Sequence, residues 1–219
     1  MSSAKVHRDD VVVPLDRWQL FARRTLDIVM GIVVLALLLI PIIVIIVLVA
    51  TTSRGPVLFS QIRVGRNGEP FTVLKFRTMR EGTHTEVLSD SDQRARYWEN
   101  GFKLDPDDQR ITPVGRILRK TSLDELPQLV NVFWGDMSIV GIRPLLPVEV
   151  ALRSEHDQDL YRLLRPGMTG LWQVEGRSDV DDVDRIALDR RYVEQWSIWR
   201  DLWLLLRTPL AVVRVGRTH

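Results

Sequence analysis

The sequence predicts an α+β fold, mainly helical, in which a single cytoplasmic domain follows one N-terminal membrane helix. Three observations support this prediction. Residues 28–50 carry no charge, two short β-rich runs at 57–60 and 71–76 lie on either side of a turn signal, and helical patterns dominate elsewhere. We therefore divide the 219 residues into an interfacial segment, 1–27, the membrane helix, and a cytoplasmic domain, 51–219.

The uncharged run is about 30 Å long as a helix, which is enough to cross the hydrocarbon core of a bilayer. Pro41 lies near its middle and predicts a kink, because proline removes a helical hydrogen bond. Basic residues, which favour the cytoplasmic side, flank both ends: Arg17, Arg23, Arg24, Arg54, Arg63 and Arg66. Two alternatives remain open here, a kinked spanning helix and a re-entrant helix that leaves on the side where it entered.

The C-terminal part of the chain is rich in tryptophan. A helix is predicted from 179 to 199, and Trp196, Trp199 and Trp203 recur at spacings of three and four, so they would share one helix face. Tryptophan concentrates at membrane interfaces. We predict a C-terminal interfacial helix, with an ordinary core-facing helix as the alternative.

Composition excludes several classes of function. The net charge is only +2 and acidic residues are mixed throughout, so no nucleic-acid partner is expected. There are no cysteines, the four histidines are scattered, and the common glycine-rich nucleotide motifs are missing. The chemistry must therefore use carboxylates, basic side chains and a hard metal ion.

The sharpest local feature is an adjacent acidic pair, Asp124 and Glu125, followed by Pro127. A structural interpretation is a capping box between Ser122 and Glu125. Pro127 favours a later helix start, near Asp124, because proline is tolerated only in the first helical turn. The partial positive charge of a helix N-terminus would then favour the ionised carboxylate.

An ionised carboxylate beside a bound phosphate can attack phosphorus. A divalent cation must screen the two anions, so we expect Mg²⁺ with Asp124 as a ligand, and Glu125 as a second metal or proton-handling group. Basic side chains beside glycines and prolines supply candidate anion-binding positions: Lys75, Arg77, Arg119, Arg143, Arg165 and Arg177.

These residues lie in four blocks whose order resembles the bacterial sugar transferases, small monotopic polyprenyl-phosphate phosphoglycosyl transferases. The blocks are KFRTM from Lys75, SLDELPQL with Asn131-Val132, GDMSIVG with Arg143-Pro144, and RPGMTG with Gln173-Val174 and Gly176-Arg177. Two positions depart from the family pattern: Ile40 precedes Pro41 where some members have serine, and Ile142 stands where proline is common.

The resemblance implies a re-entrant helix at the cytoplasmic face of the bacterial inner membrane. It implies that Asp124 attacks a UDP-sugar, releases UMP and holds a phosphosugar, which passes to polyprenyl (undecaprenyl) phosphate. It also implies that Glu125 completes the dyad, that Mg²⁺ is required, and that Lys75, Arg119 and Arg143 bind substrate. The product would begin exopolysaccharide or glycoconjugate assembly.

Two other functions are alternatives to this one. One is another Mg²⁺-dependent phosphotransferase that acts on lipids, which would form no phosphosugar adduct. The other is a non-catalytic subunit of a membrane assembly, for which Asp124→Asn would leave function intact. The acidic pair among arginines argues against the second, because charge near a membrane is costly without a role.

Overall fold

The computed structural model describes residues 16–80, 82–83, 108–175 and 182–215. The stretch 79–109, whose mixed polar sequence predicts helix and loop, falls largely outside these residues. The elements in chain order are α1 Arg17–Thr52, β1 Leu58–Val64, β2 Pro70–Phe76, α2 Pro113–Lys120, α3 Gln128–Trp134, β3 Ser138–Val140, α4 Pro147–Ala151, α5 Glu155–Leu163, β4 Gly167–Thr169, α6 Leu171–Glu175, α7 Asp182–Glu194 and α8 Ile198–Val215. The predicted mainly helical α+β fold is confirmed.

The predicted hairpin is confirmed. β1 and β2 pair antiparallel, with Leu58 opposite Phe76 and Val64 opposite Pro70. The turn between them places Asn67 at φ 60° and Gly68 at φ 81°, which asparagine and glycine adopt most readily. A second sheet of two short strands, β3 and β4, is parallel and was not predicted.

Helix α1 is 36 residues long and continues through Pro41. It is apolar enough to cross a membrane, with a mean hydropathy of 3.7 over its most apolar window, of which only 11% is buried. One stripe of the helix packs along the domain: Arg23, Asp27, Met30, Gly31, Val34, Leu38, Ile42, Ile45 and Val49. The opposite face exposes Val33, Leu37, Ile40, Val44 and Val47.

The domain holds both ends of this helix. Near the N-terminal end, Arg23 donates to Val140 O at 2.6 Å and Asp27 accepts from Ser138 Oγ at 2.7 Å. Near the C-terminal end, the buried Arg77 donates to the carbonyls of Val49 and Ser53 at 3.2 and 2.8 Å. The domain therefore lies alongside α1 over most of its length.

The tryptophan prediction needs a correction. The predicted helix 179–199 is interrupted, because α7 ends at Glu194 and α8 begins at Ile198. Trp196 lies in the intervening turn, packs against the core and donates to Asp201 Oδ2 at 3.0 Å. Only Trp199 and Trp203 belong to α8, and Trp199 is exposed. Trp196 therefore does not share a helix face with Trp199 and Trp203, because it lies in the turn and bonds to the buried Asp201.

Arg77 ties the end of α1 to the hairpin. Besides Val49 and Ser53 its guanidinium donates to Pro56 O, so it satisfies carbonyls that the helix terminus leaves free. We expect Arg77→Met to lower the free energy of unfolding by about 2–4 kcal/mol, since several buried acceptors lose a charged donor. Chemical unfolding in detergent checks this, with Arg191→Met, at an exposed arginine of α7, as the matched control. Equal stability of the two variants would contradict the assignment.

Candidate active site

The acidic pair lies in a short 3₁₀ turn, Leu123–Glu125, one turn before α3. Ser122 enters this turn at φ 55° and ψ 16°, a left-handed conformation that non-glycine residues rarely adopt, and its side chain makes no capping bond. Pro127 is the N-cap residue of α3. The capping box between Ser122 and Glu125 is therefore wrong, and the α-helix begins at Gln128, after the proline and later than the predicted start near Asp124.

Apolar neighbours fix this turn against the membrane helix. Leu123 and Leu126, on either side of the acidic pair, belong to the same hydrophobic cluster as Ile45 and Val49 of α1. Phe76 at the end of β2 and Leu118 of α2 complete it. The carboxylates are consequently held beside the C-terminal half of the apolar helix.

Asp124 is a buried carboxylate, 8% exposed. Within the described part of the chain, no side chain donates a hydrogen bond to it or pairs with it. Burial raises the pKa of Asp124 to about 6, and the nearby Glu125 charge adds to this while Lys75 and Arg119 oppose it. The expectation that a helix terminus would favour ionisation is outweighed by loss of hydration.

Glu125 differs from Asp124, because its surroundings favour the ionised carboxylate. Its Oε1 lies 2.6 Å from Lys75 Nζ, and about a third of its side chain is exposed. Burial opposes ionisation, but Lys75, together with the more distant Arg143 and Arg63, lowers the pKa of Glu125 below its ordinary value. The two neighbouring carboxylates thus have pKa values driven apart, a feature typical of groups with different roles.

Two arginines near Glu125, Arg63 and Arg143, both form an ion pair with Glu149. Arg63 Nη1 lies 3.1 Å from Glu149 Oε2, and Arg143 Nη1 lies 3.8 Å from Glu149 Oε1. Glu149 also accepts from Leu146 N at 2.6 Å, which fixes it at the start of α4. That Arg143 nitrogen is buried and makes no hydrogen bond, so its interaction with Glu149 is that of an ion pair alone.

Asn131 sets the position of Lys75 relative to the acidic pair. It is fully buried on α3, where its Oδ1 accepts from Leu74 N at 3.0 Å and its Nδ2 donates to Thr72 O at 2.8 Å. The amide thereby bonds to the free edge of β2 immediately before Lys75. One side chain therefore fixes the spacing between the strand that carries the lysine and the helix that follows the dyad.

Arg119 reaches the site from α2. Its Nε donates to Thr78 Oγ1 at 2.9 Å, and Thr112 N donates to Thr78 O at 2.9 Å. Gly115 allows this approach, because a Cβ there would overlap the Thr78 carbonyl. The close contact brings the Arg119 charge within range of Asp124.

A family model described as bacterial sugar transferase matches residues 18–215. The chain belongs to this family. The match includes all of α1 except its first residue, the acidic turn and every basic residue of the candidate site that the structure describes, so that site lies within the matched residues.

The chain is also similar to curated proteins whose names fit this family. The chain is 44% identical over 197 residues to an undecaprenyl-phosphate galactose phosphotransferase of Salmonella typhimurium, covering 89% of this chain and 41% of that protein. It is 41% identical over 195 residues to the exopolysaccharide production protein ExoY of Rhizobium meliloti, covering 87% and 85%. It is 41% identical over 205 residues to a UDP-glucose:undecaprenyl-phosphate glucose-1-phosphate transferase of Caulobacter vibrioides, covering 90% and 72%. The chain therefore spans about two fifths of the Salmonella protein's length.

The basic residues predicted from this sugar transferase sequence fall into three groups. Lys75, Arg119 and Arg143 surround the acidic pair. Arg77 instead donates to backbone carbonyls at the end of α1. Arg165 donates to Gly135 O at 2.6 Å, among other arginines, and Arg177 lies outside the described residues. The roles predicted for these last three in substrate binding stay predictions.

Three residues near the dyad had no predicted role: Arg63, Glu149 and Asn131. In the sequence Arg63 is only one of the charges that flank the membrane run, and its buried position on β1 is a finding of the structure. Asn131 belongs to a block that carries the family resemblance, but only the fold reveals its bonds to β2. Glu149 carries no sequence signal beyond its place in the first turn of α4.

Proposed function

We propose that this sugar transferase moves a sugar-1-phosphate from a UDP-sugar to polyprenyl (undecaprenyl) phosphate and releases UMP. The observation that carries the proposal is the buried Asp124 carboxylate, to which no side chain of the described residues donates a hydrogen bond, and which lies beside basic side chains and the apolar helix. That placement suits a nucleophile that must meet both a soluble donor and a lipid acceptor. The names of the relatives supply the substrate classes.

In the proposed reaction, an Asp124 carboxylate oxygen bonds to the sugar-bearing phosphorus, and the bond from that phosphorus to the bridging oxygen of UMP breaks. Lys75, Arg119 and Arg143 hold the phosphate oxygens and offset their charge. A phosphate oxygen of the acceptor then attacks the same phosphorus, and the aspartate carboxylate is released. Glu125, kept ionised by Lys75, completes the dyad.

The residues fit a Mg²⁺ ion that is shared with substrate. Among the described residues, no three acidic or histidine side chains come together as a closed metal site. Mg²⁺ keeps several waters and takes only one or two protein carboxylates beside substrate phosphates, so Asp124 would hold it, with Glu125 as its neighbour. When bound, the ion would screen the negative charge that meets between carboxylate and diphosphate.

The transfer assay uses detergent-solubilised protein, Mg²⁺, UDP-glucose or UDP-galactose, and undecaprenyl phosphate. We expect UMP release and a lipid-linked sugar diphosphate with at least one donor, and neither with Asp124→Asn. A lipid product without Mg²⁺, or one that survives Asp124→Asn, would contradict the proposal. Lipid phosphorylation or dephosphorylation without sugar transfer would support the other lipid phosphotransferase instead.

We also propose that α1 is re-entrant at the cytoplasmic face of the inner membrane. Arg23 and Val49 both contact the domain, and they are about 39 Å apart along a straight helix, more than the roughly 30 Å hydrocarbon core. If α1 crossed the bilayer, the domain alongside it would be immersed too. A shallow helix that inserts its exposed apolar face and bends at Pro41 avoids that cost.

Cysteine labelling tests this topology, because the natural chain has no cysteine. Trp18→Cys and Arg54→Cys place single thiols at exposed positions near opposite ends of α1. We expect a membrane-impermeant maleimide to label both in inverted inner-membrane vesicles and neither in intact spheroplasts. Labelling of one position in each preparation would show a spanning helix and overturn the re-entrant arrangement.

A further inference from the structure

Four arginines gather at the N-terminal end of α1, away from the acidic pair. Arg23, Arg66 and Arg165 line a crevice with Leu20, Leu163 and Leu164. Arg24 is adjacent, since it donates to Val132 O and Phe133 O while Arg165 donates to Gly135 O at the end of the same helix, α3. Arg66 stands in the hairpin turn, about 17 Å from Lys75 along β2.

In this arginine cluster, Arg23, Arg24, Arg66 and Arg165, only Arg23 pairs with a carboxylate, that of Asp201 at 3.5 Å. Within the described residues, no carboxylate forms an ion pair with Arg24, Arg66 or Arg165. The two acidic groups close by already accept hydrogen bonds from other residues. Asp27 accepts from Ser138 Oγ and Ile139 N, and Asp201 accepts from Tyr192 and Trp196.

Two buried guanidinium nitrogens of the arginine cluster also make no hydrogen bond. The Nε atom of Arg66 is buried and has no hydrogen-bond acceptor. The buried Nε of Arg23 also makes no hydrogen bond, but it lies 3.5 Å from Asp201 Oδ2. Burial, reinforced by the charges of Arg66, Arg24 and Arg23, lowers the pKa of Arg165. Buried donors without acceptors, surrounded by like charge, are costly unless an anion joins them.

We propose that Arg66 and Arg165, supported by Arg23 and Arg24, bind the phosphate of an anionic phospholipid. The leucine walls of the crevice suit the glycerol and first methylenes of a lipid better than a free ion. Trp18 and Phe21, both exposed on the adjacent turn of α1, are residue types that sit at headgroup depth. Basic side chains beside a membrane segment are attracted to the negative leaflet surface.

Thermal unfolding of the full chain in neutral detergent tests this site without reference to activity. Adding phosphatidylglycerol, but not phosphatidylcholine, is expected to raise Tm by about 3–5 °C at tenfold excess over the dissociation constant. Arg66→Gln should raise Tm in neutral detergent, because repulsion is relieved, and should lose at least half of the lipid-dependent shift. Arg165→Gln should behave alike.

Arg191→Gln is the matched control, because it removes one positive charge from an exposed position on α7 and should keep the full shift. The proposal is overturned if phosphatidylglycerol gives no shift beyond phosphatidylcholine, or if Arg191→Gln loses the shift as Arg66→Gln does. An equal shift with inorganic phosphate would assign the cluster to a soluble anion and overturn the lipid assignment. The readout does not depend on the proposed transfer reaction, so the two can fail separately.

Discussion

Asp124→Asn is expected to abolish sugar-phosphate transfer and, at neutral pH, to stabilise the protein. Loss of the nucleophile should lower kcat by at least about a thousandfold. Stability changes in the other direction because the wild-type carboxylate is ionised at pH 7.5 in a buried place where its pKa is about 6 rather than 3.8. The neutral amide avoids this cost of about 1–3 kcal/mol.

The difference in stability between Asp124→Asn and the wild type depends on pH. Below about pH 3 the wild-type carboxyl is protonated both folded and unfolded, so the cost is absent; it grows as pH rises from the unfolded pKa of 3.8 to the folded pKa of about 6 and is complete above that. Unfolding of both proteins at pH 4.5 and 7.5 should therefore show a gap in stability that is larger at pH 7.5. Asp159→Asn, at an exposed carboxylate, serves as the control and should show no gap. An Asp124→Asn protein less stable than wild type at pH 7.5 would contradict the assignment.

Lys75→Gln is expected to lower kcat/KM for the UDP-sugar by about a hundredfold to a thousandfold, because a positive group aimed at the reacting phosphates is lost. It should also change the pH profile. Lys75 lowers the pKa of both Asp124 and Glu125, so its removal raises both. The acid limb of kcat/KM, which should lie near pH 6 in the wild type because Asp124 must be ionised, should move to higher pH.

Steady-state rates between pH 5 and 8.5 measure this shift. Lys120→Gln, at an exposed lysine that ends α2, is the matched control and should keep the wild-type profile. An acid limb that stays in place in Lys75→Gln would mean that the lysine does not act on the dyad's ionisation. A drop in rate without a shift would then limit Lys75 to binding.

Local chemistry made part of this fold predictable. The Asn67-Gly68 turn and the alternating runs beside it identified the hairpin, because turn type depends on a few adjacent residues. The apolar run identified α1 by length and composition alone. β3 and β4 could not be found in this way, since each has only three residues and their pairing depends on contacts between residues distant in sequence.

The candidate site was also predictable only in part from local sequence. The acidic pair and the lysine and arginines of the family blocks were found from their residues and order. The pKa of Asp124 was not, because it depends on burial by Leu123, Leu126 and the membrane helix, which no local pattern encodes. The hydrogen bonds of Arg77 to the end of α1 were not predicted either, because a basic residue in a sequence block can bond to a helix terminus as well as to a phosphate.

The central claim is that Asp124 becomes covalently attached to a phosphosugar. The most direct measurement is mass spectrometry of the protein after incubation with Mg²⁺ and a panel of UDP-sugars without acceptor, first intact and then as acid-stabilised peptides. We expect the mass of one phosphosugar, located on the peptide that contains Asp124, absent from Asp124→Asn and discharged by undecaprenyl phosphate. Acceptor-dependent UMP release with no adduct on any peptide would contradict the claim and indicate direct transfer between the two substrates.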